Sequence, residues 1–315
     1  MSDLQLAIIG FGNMGKIHYK AISKNAICKK PMIVDINSEV QDGHDDIKFF
    51  QNFDDFISSN ISNIDGVIIS TPSSMHLEHA EPFIQKGIPL LIEKPLTSDN
   101  LTDQTLFALA KENNTFIKCG LIELYNPIVQ ELSKTTYQDL KFVHFKRHSP
   151  KTATSRKLEN IILDLTLHDI SIIFKVFRPK KIQIIGCNQI YENNIAESAQ
   201  ILLKIDDSFS VFISSSRQDQ EKIRTLEIVD ENLTYLCDLK NKFYETKQNG
   251  EIASFDSKSI TESNILKKVD MLDKPETAEL QINSFVKSIL KKDNDFESLE
   301  IAEKTHGLAY DLLNF

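Results

Sequence analysis

The chain has 315 residues, which exceeds one ordinary hydrophobic core and predicts two domains. Its composition, 41% hydrophobic and 26% charged, is that of a globular protein. A net charge of −9 argues against a nucleic-acid partner, because phosphate binding needs clustered Lys and Arg. No apolar run is long enough to span a membrane, and the first strand begins too early to leave room for a signal peptide. We therefore expect a cytoplasmic protein.

The four cysteines lie far apart and form no C-x-x-C pair: Cys28, Cys119, Cys187 and Cys237. This spacing is typical of free thiols in a reducing compartment. The histidines lack the spacing of metal ligands, so no metal site is predicted.

Short apolar runs alternate with helical stretches over the first 120 residues. We predict strands at 6–9, 31–34, 47–50, 65–70, 89–92 and 115–119, and helices at 16–25, 74–86 and 101–113. This alternation is typical of a Rossmann-type α/β domain, a doubly wound parallel sheet covered by helices. Residues 1–120 are therefore predicted to form the first domain.

The pattern changes after Gly120. Alternating runs predict strands at 139–148, 181–187, 197–205, 209–216, 224–230, 234–239 and 242–246, with helices at 127–133, 161–176, 276–292 and 298–314. Consecutive strands joined by short turns indicate an antiparallel sheet. Residues 121–315 are predicted to form an α+β domain with a large, mostly antiparallel open sheet. If helices cover one face only, a homodimer or homotetramer should bury the other.

A glycine-rich turn, Gly10-Phe11-Gly12-Asn13-Met14-Gly15, follows the first predicted strand. G-x-G-x-x-G between a strand and a helix is typical of dinucleotide binding, because the helix N terminus presents N–H groups to a pyrophosphate. The turn by itself leaves FAD and S-adenosylmethionine open. Asp35 ends the second strand, where its carboxylate can accept both adenosine ribose hydroxyls and would repel a 2′-phosphate. It therefore favours NAD over NADP.

Three further motifs follow in order: Ser70-Thr71-Pro72 with His76, Glu93-Lys94-Pro95, and Asp164-x-x-x-His168-Asp169. With the glycine turn and His18, they resemble the glucose–fructose oxidoreductase/inositol dehydrogenase (Gfo/Idh/MocA) family over essentially the whole chain. The resemblance implies an NAD-dependent oxidoreductase in which Thr71, Pro72 and His76 line the nicotinamide side of the cofactor. It also implies that Glu93 and Lys94 face the nicotinamide, with a cis bond before Pro95.

The same resemblance implies the catalytic residues Lys94, Asp164 and His168. Oxidation of a secondary alcohol needs a hydride acceptor and a base for the hydroxyl proton, and imidazole is the easiest base near neutral pH. Asp164 and His168 are four residues apart, so on an α-helix they would share one face. We expect Asp164 to hold the substrate hydroxyl or tune Lys94 while His168 takes the proton. Taken alone, His168 would more often be a core histidine; Lys94 and Asp164 in matching positions favour catalysis.

A finer resemblance is to family members that are UDP-N-acetylglucosamine 3-dehydrogenases. It covers residues 119–127, which include Tyr125 and Asn126, and a later stretch with Arg147 and Arg156. A sugar diphosphate is a dianion that Arg147, Arg156 or Lys157 could pair with, although a solvated loop of mixed charge remains an alternative. The predicted substrate-binding residues are Lys94, Tyr125, Asn126, Arg147, Arg156, Asp164 and His168.

Three positions depart from the pattern of this subgroup: Leu124, Ser149 and Asn160. They leave the nucleotide sugar open, and inositol or a free aldose is the main alternative substrate. An NAD-binding regulator without turnover is the alternative outside the enzymes. Such a protein should lack one of Lys94, Asp164 or His168, and this chain has all three.

Overall fold

The computed structural model describes residues 3–41, 47–151, 159–248, 265–291 and 296–315. The chain divides into two compact units, Met1–Tyr125 with Pro275–Gly307, and Asn126–Lys274 with Leu308–Phe315. The sequence-based boundary at residue 120 assigned both C-terminal helices to the second domain. In the structure, residues 275–307 lie with the first unit instead.

The first unit contains a six-stranded sheet with the order β3-β2-β1-β4-β5-β6, and every strand pair is parallel. Its strands are β1 (Leu6–Ile9), β2 (Met32–Val34), β3 (Phe49–Phe50), β4 (Gly66–Ile69), β5 (Leu90–Ile92) and β6 (Ile117–Cys119). All residues of β1, β2, β4, β5 and β6 are buried, as expected for parallel strands covered on both faces. The strand order is that of doubly wound dinucleotide-binding domains, so the predicted fold class is confirmed.

Four helices follow strands of this sheet: α1 (Asn13–Ser23), α2 (Phe53–Asn60), α3 (His76–Ile84) and α4 (Asn100–Glu112). Helix α1 buries Gly15, His18 and Ile22, which are three or four residues apart and therefore share one face. The sequence analysis missed α2, although Asn52 accepts a hydrogen bond from the Asp55 amide as a typical N-cap.

The second unit begins with α5 (Pro127–Leu132) and contains an eight-stranded sheet with the order β14-β13-β12-β11-β7-β10-β9-β8. Its strands are β7 (Phe142–His148), β8 (Ile182–Glu192), β9 (Ile195–Ile205), β10 (Phe209–Ser216), β11 (Ile223–Val229), β12 (Leu233–Asp238), β13 (Phe243–Gln248) and β14 (Ile265–Asp270). Only the β7–β10 pair is parallel among these described strands. The predicted, mostly antiparallel sheet is confirmed, and β14 is an additional strand.

A π-helical turn, Ile162–Thr166, leads into α6 (Leu167–Phe177), where one continuous helix was predicted. This segment packs on one face of the second sheet: the Thr166 hydroxyl donates to Ser215 at 2.8 Å, and the Phe177 and Phe209 rings meet at 5.7 Å. Phe212 points away from that face and is 45% exposed.

The C-terminal helices are α7 (Thr277–Lys291) and α8 (Phe296–Leu313). Helix α7 buries Ile282, Phe285 and Val286 in the same core as Leu6 and Ile8 of β1. This apolar contact explains why α7 belongs with the first unit despite its distance along the chain. Within the described ranges, no helix is both long enough and apolar enough to cross a membrane.

Candidate active site

The glycine turn lies between the end of β1 and the start of α1. Gly10 has a φ of +90°, and a Cβ there would lie 2.8 Å from backbone atoms of Ser70 and Thr71. A Cβ on Gly15 would lie 2.2 Å from the Gly10 carbonyl oxygen. Both positions therefore need glycine. Gly12 precedes α1 as its N-cap, so Asn13 and Met14 begin the helix whose N terminus would receive a pyrophosphate.

Asp35 lies beside this turn at the carboxyl end of β2. Its Oδ2 accepts a hydrogen bond from the Phe11 amide at 2.6 Å, and its Oδ1 accepts one from the Asn37 amide at 2.9 Å. The carboxylate is partly exposed, whereas the Phe11 side chain is buried. The residue that the sequence assigned to the ribose is thus held against the phosphate-binding turn, which the dinucleotide chemistry requires.

Thr71 and Pro72 follow β4 at the same edge of the sheet. Pro72 is exposed, whereas His76 is only 1% exposed. The His76 Nε2 lies 2.8 Å from the Thr71 carbonyl oxygen, and its Nδ1 lies 3.1 and 3.0 Å from the carbonyls of Pro95 and Leu96. His76 therefore connects two loops, and this burial does not favour the direct cofactor contact predicted for it.

Glu93, Lys94 and Pro95 follow β5. Glu93 is 6% exposed; its Oε1 lies 2.7 Å from His18 Nε2, and its Oε2 accepts from the Lys94 amide at 3.2 Å. The Glu93 carboxylate is thus turned toward α1, not open to a cofactor. The Lys94–Pro95 bond is cis, as predicted, and the Lys94 side chain is half-buried.

Asp164 and His168 lie in the second unit, on the segment that changes helical type. Asp164 is in the π-helical turn, where the Leu167 amide donates to the Ile162 carbonyl, five residues back. A π-helical turn is wider than an α-helical one. This segment thus departs from the regular α-helix on which Asp164 and His168 were predicted to share a face, and that shared face stays a prediction. His168 lies in the first turn of α6 and is 8% exposed, while the Asp164 side chain is 33% exposed.

Arg217, which the sequence analysis did not identify, holds Asp164 in place. Its Nη1 donates to Asp164 Oδ2 at 3.0 Å and its Nε to Glu197 Oε2 at 2.8 Å. Its Nη2 donates to the carbonyls of Glu159 and Ala196 at 2.8 and 3.1 Å. Three nitrogens of one buried guanidinium therefore fix the carboxylate and the chain leading to the π-helical turn. The sequence offered one sign of this role: Arg217 comes directly after the strand predicted at 209–216, in a chain whose net charge is negative.

Arg147 lies on β7, within the strand predicted at 139–148, and is only 1% exposed. Its Nε donates to Asp169 Oδ1 at 2.8 Å, and its Nη2 lies 2.8 Å from the same oxygen. Because a buried ion pair is costly to break, Arg147 is not available to a substrate diphosphate in this arrangement. Arg156 and Lys157, the other cations proposed for that role, lie outside the described residues.

Asn126 also has a structural partner on each side of its amide. Its Oδ1 accepts from the Ile128 amide at 3.1 Å, which makes it the N-cap of α5, and its Nδ2 donates to the Leu239 carbonyl at 2.9 Å. It is 3% exposed, so the predicted substrate contact is not favoured. Tyr125 is half-buried, with its ring 5.7 Å from Lys118 Nζ.

The first unit thus brings the glycine turn, Asp35, Thr71, Pro72 and Lys94 to the carboxyl ends of its parallel strands. In the described ranges, no group of three or more His, Cys, Asp or Glu side chains is placed to hold a metal ion. A doubly wound sheet with this turn and this carboxylate defines an NAD-binding Rossmann protein.

Residues 4–120 match the Gfo/Idh/MocA family model, which is described as an oxidoreductase family with an NAD-binding Rossmann fold. The UDP-N-acetylglucosamine 3-dehydrogenase of Acidithiobacillus ferrooxidans is 24% identical over 236 residues, 72% of each chain. An inositol 2-dehydrogenase of Corynebacterium glutamicum is 22% identical over 182 residues, 54% of this chain and 53% of that protein.

Solved structures share the fold of the whole chain. The Acidithiobacillus ferrooxidans enzyme matches with a TM-score of 0.82 at 21% identity, covering 99% of this chain and 97% of its own. KijD10, a 3-ketoreductase from Actinomadura kijaniata in complex with TDP-benzene and NADP, matches with a TM-score of 0.81 at 12% identity, covering 98% and 96%. These structures confirm the predicted two-part fold, and the family-model match over residues 4–120 confirms the predicted family resemblance and NAD cofactor.

Proposed function

We propose that this protein is a dehydrogenase that oxidises a secondary hydroxyl group of a sugar. One observation carries the proposal: the glycine turn, Asp35 and the Glu93-Lys94-Pro95 segment meet at the carboxyl edge of one parallel sheet. That edge is where doubly wound domains bind dinucleotides, and it supplies an amine next to the expected position of the nicotinamide.

The roles follow from the chemistry of the side chains. When bound, NAD supplies the hydride acceptor. Lys94 and His168 are assigned as the acid/base pair that takes the hydroxyl proton. Asp164, whose Oδ2 is held by Arg217 at 3.0 Å, is assigned to orient the hydroxyl.

The proposed substrate is a nucleotide-activated sugar, because the relative with the longest match among those described above is a UDP-N-acetylglucosamine 3-dehydrogenase. Inositol or a free aldose is the second candidate, supported by the match to an inositol 2-dehydrogenase. Because Arg147 is buried, it is no longer one of the cations that support binding of a substrate diphosphate.

A substrate panel tests this proposal. UDP- and dTDP-sugars, myo-inositol and free hexoses are each incubated with the protein and NAD, and NADH is followed by its absorbance. We expect turnover with a nucleotide sugar. Turnover confined to inositol or hexoses would shift the assignment to the second candidate. NAD binding without turnover on any of them would favour an NAD-binding regulator.

We also propose that two or more copies associate through the open face of the second sheet. A pocket of about 620 Å³ on this face is lined by His144, Cys187, Phe212 and Phe315, among others. Phe212 and Phe315 are 45% and 63% exposed, and a second copy would bury them.

The proposed location is the cytoplasm. All four cysteines are free thiols, which supports this location.

A further inference from the structure

Three buried histidines from three helices contact the four-residue segment Glu93–Leu96. They are His18 on α1, His76 on α3 and His306 on α8, and each is at most 1% exposed. All three, like the segment itself, belong to the first compact unit. Motifs drew attention to His18 and His76, whereas nothing in the sequence analysis pointed to His306.

His306 fixes the backbone amide of Leu96. Its Nε2 accepts a hydrogen bond from the Leu96 N–H at 3.0 Å, and its Nδ1 lies 2.8 Å from the Ala302 carbonyl oxygen in the same helix. An amide N–H only donates and a carbonyl oxygen only accepts. The ring is therefore neutral, with its proton on Nδ1. Burial lowers the pKa of His306 and so favours this neutral form.

His76 fixes the opposite side of the same residue. The Nδ1 contacts to the carbonyls of Pro95 and Leu96 act on the two residues that follow Lys94. Leu96 is thus held at its N–H by α8 and at its carbonyl by α3. The Nε2 contact to the Thr71 carbonyl ties this arrangement to the loop after β4.

His18 acts on the residue before Lys94. It holds one oxygen of the Glu93 carboxylate at 2.7 Å, while the other oxygen accepts from the Lys94 amide. A Cβ on Gly120 would lie 2.8 Å from Glu93, so the Glu93 side chain is also confined from the side of β6. Lys94 therefore lies between two anchored neighbours.

We propose that His306, acting with His76, is a positioning residue that fixes the backbone on which Lys94 is carried. The effect of this anchoring on catalysis rests on the proposed role of Lys94, whereas the anchoring itself does not depend on that role. A misplacement of about 1 Å can cost a catalytic group about 100-fold in rate. If His306 were only structural, its loss would lower stability and leave the turnover of the folded protein unchanged.

Two substitutions separate these roles. His306→Leu removes the acceptor for the Leu96 amide, whereas His306→Gln keeps an acceptor on a side chain of similar reach. We expect His306→Leu to lower kcat by about 10- to 100-fold, with NAD affinity within about twofold of the wild type. His306→Gln should restore most of the rate.

Phe285→Leu is the control for a general loss of stability. Phe285 is fully buried in the core of the same unit, in the cluster that contains Leu6 and Ile8 of β1. A smaller side chain there should lower the melting temperature as a cavity does, with kcat unchanged at temperatures where the variant is folded.

Amide hydrogen exchange over residues 93–97 provides a readout that needs no substrate. We expect His306→Leu to speed exchange there, and His306→Gln and Phe285→Leu to leave it near the wild-type rate. Unchanged exchange in His306→Leu, or a fall in kcat no larger than in Phe285→Leu, would overturn the positioning role. Faster exchange in His306→Leu, with no dehydrogenase activity in the wild type on any substrate of the panel, would support the anchor and refute the proposed function.

Discussion

At the scale of single residues, the contacts of Asp35 bear most directly on cofactor choice. Its carboxylate is held by the Phe11 and Asn37 amides beside the phosphate-binding turn. A negative charge fixed there accepts hydroxyl hydrogen bonds and repels a phosphate. This combination is the physical basis for preferring NAD.

We therefore expect calorimetric titration to show tighter binding of NAD than of NADP. Asp35→Ala should weaken NAD binding by about 10- to 100-fold, the effect of losing hydrogen bonds to a charged group. The same substitution should weaken NADP binding less, because it also removes the repulsion between the Asp35 carboxylate and the 2′-phosphate of NADP. Equal or stronger NADP binding by the wild type would show that the assignment of Asp35 is wrong.

His306 predicts a pH dependence of stability. Burial lowers its pKa, against the opposing effects of Asp103 and the hydrogen bond to Ala302. The unfolded chain takes up this proton near pH 6.5, but the folded chain does so only at lower pH. The unfolded state therefore binds more protons as the pH falls, and the free energy of unfolding declines below that value.

Chemical denaturation at a series of pH values measures this decline. The wild type should be most stable above about pH 6.5, and His306→Gln should lose less stability on acidification because it cannot titrate. Identical declines in the two proteins would mean that another group, such as the buried His79, whose pKa burial also lowers, accounts for the effect.

At the scale of elements, the strands and most helices could be predicted because their signals are local. The parallel strands are short apolar runs. The glycine turn has a positive φ at Gly10, which only glycine adopts readily. Helix α2 was missed because it buries only one apolar side chain, Phe56, and β14 because its sequence, ILKKVD, places two lysines together.

The candidate site was only partly predictable because several of its contacts join residues far apart in the chain. The His306–Leu96 hydrogen bond spans 210 positions and the His18–Glu93 contact spans 75. The burial of Arg147 depends on Asp169, on a helix that follows 22 positions later. By contrast, the N-cap role of Asn126 was readable, since Asn followed by Pro is a common helix start.

One such distant contact lies at the π-helical turn. Arg217 anchors the Asp164 carboxylate and the chain before the turn. Its replacement would leave Asp164 and Glu197 without their shared cation, and the Glu197 side chain is only 2% exposed.

Arg217→Ala should therefore lower the free energy of unfolding by about 3–5 kcal/mol, as for other buried ion pairs that lose one partner. It should also reduce kcat, because Asp164 loses its orientation. Lys151→Ala is the matched control: Lys151 also contacts Glu197, but its side chain is 41% exposed, and a loss of about 0–1 kcal/mol is expected. Equal destabilisation by both changes would contradict the assigned role of Arg217.

At the scale of the whole molecule, the open face of the second sheet predicts association. Phe212→Glu places a charge on the exposed face, and a partner surface would have to desolvate it. We expect sedimentation velocity to show a shift toward smaller species than in the wild type. Leu101→Glu is the control, because Leu101 is 73% exposed on α4 of the first unit. A monomeric wild type would refute the proposed association.

The chain as a whole joins an NAD-binding Rossmann domain of the Gfo/Idh/MocA family to an open-sheet unit that carries Asp164 and His168. Its proposed activity depends on Lys94, whose backbone is anchored from both sides. Replacing the Lys94 side chain tests this dependence.

The most direct measurement compares NADH formation by the wild type and by Lys94→Ala at saturating NAD and sugar substrate. We predict that the variant binds NAD normally and turns over at least about 100-fold more slowly, the usual contribution of an acid/base group. A variant that turns over at close to the wild-type rate would contradict the account.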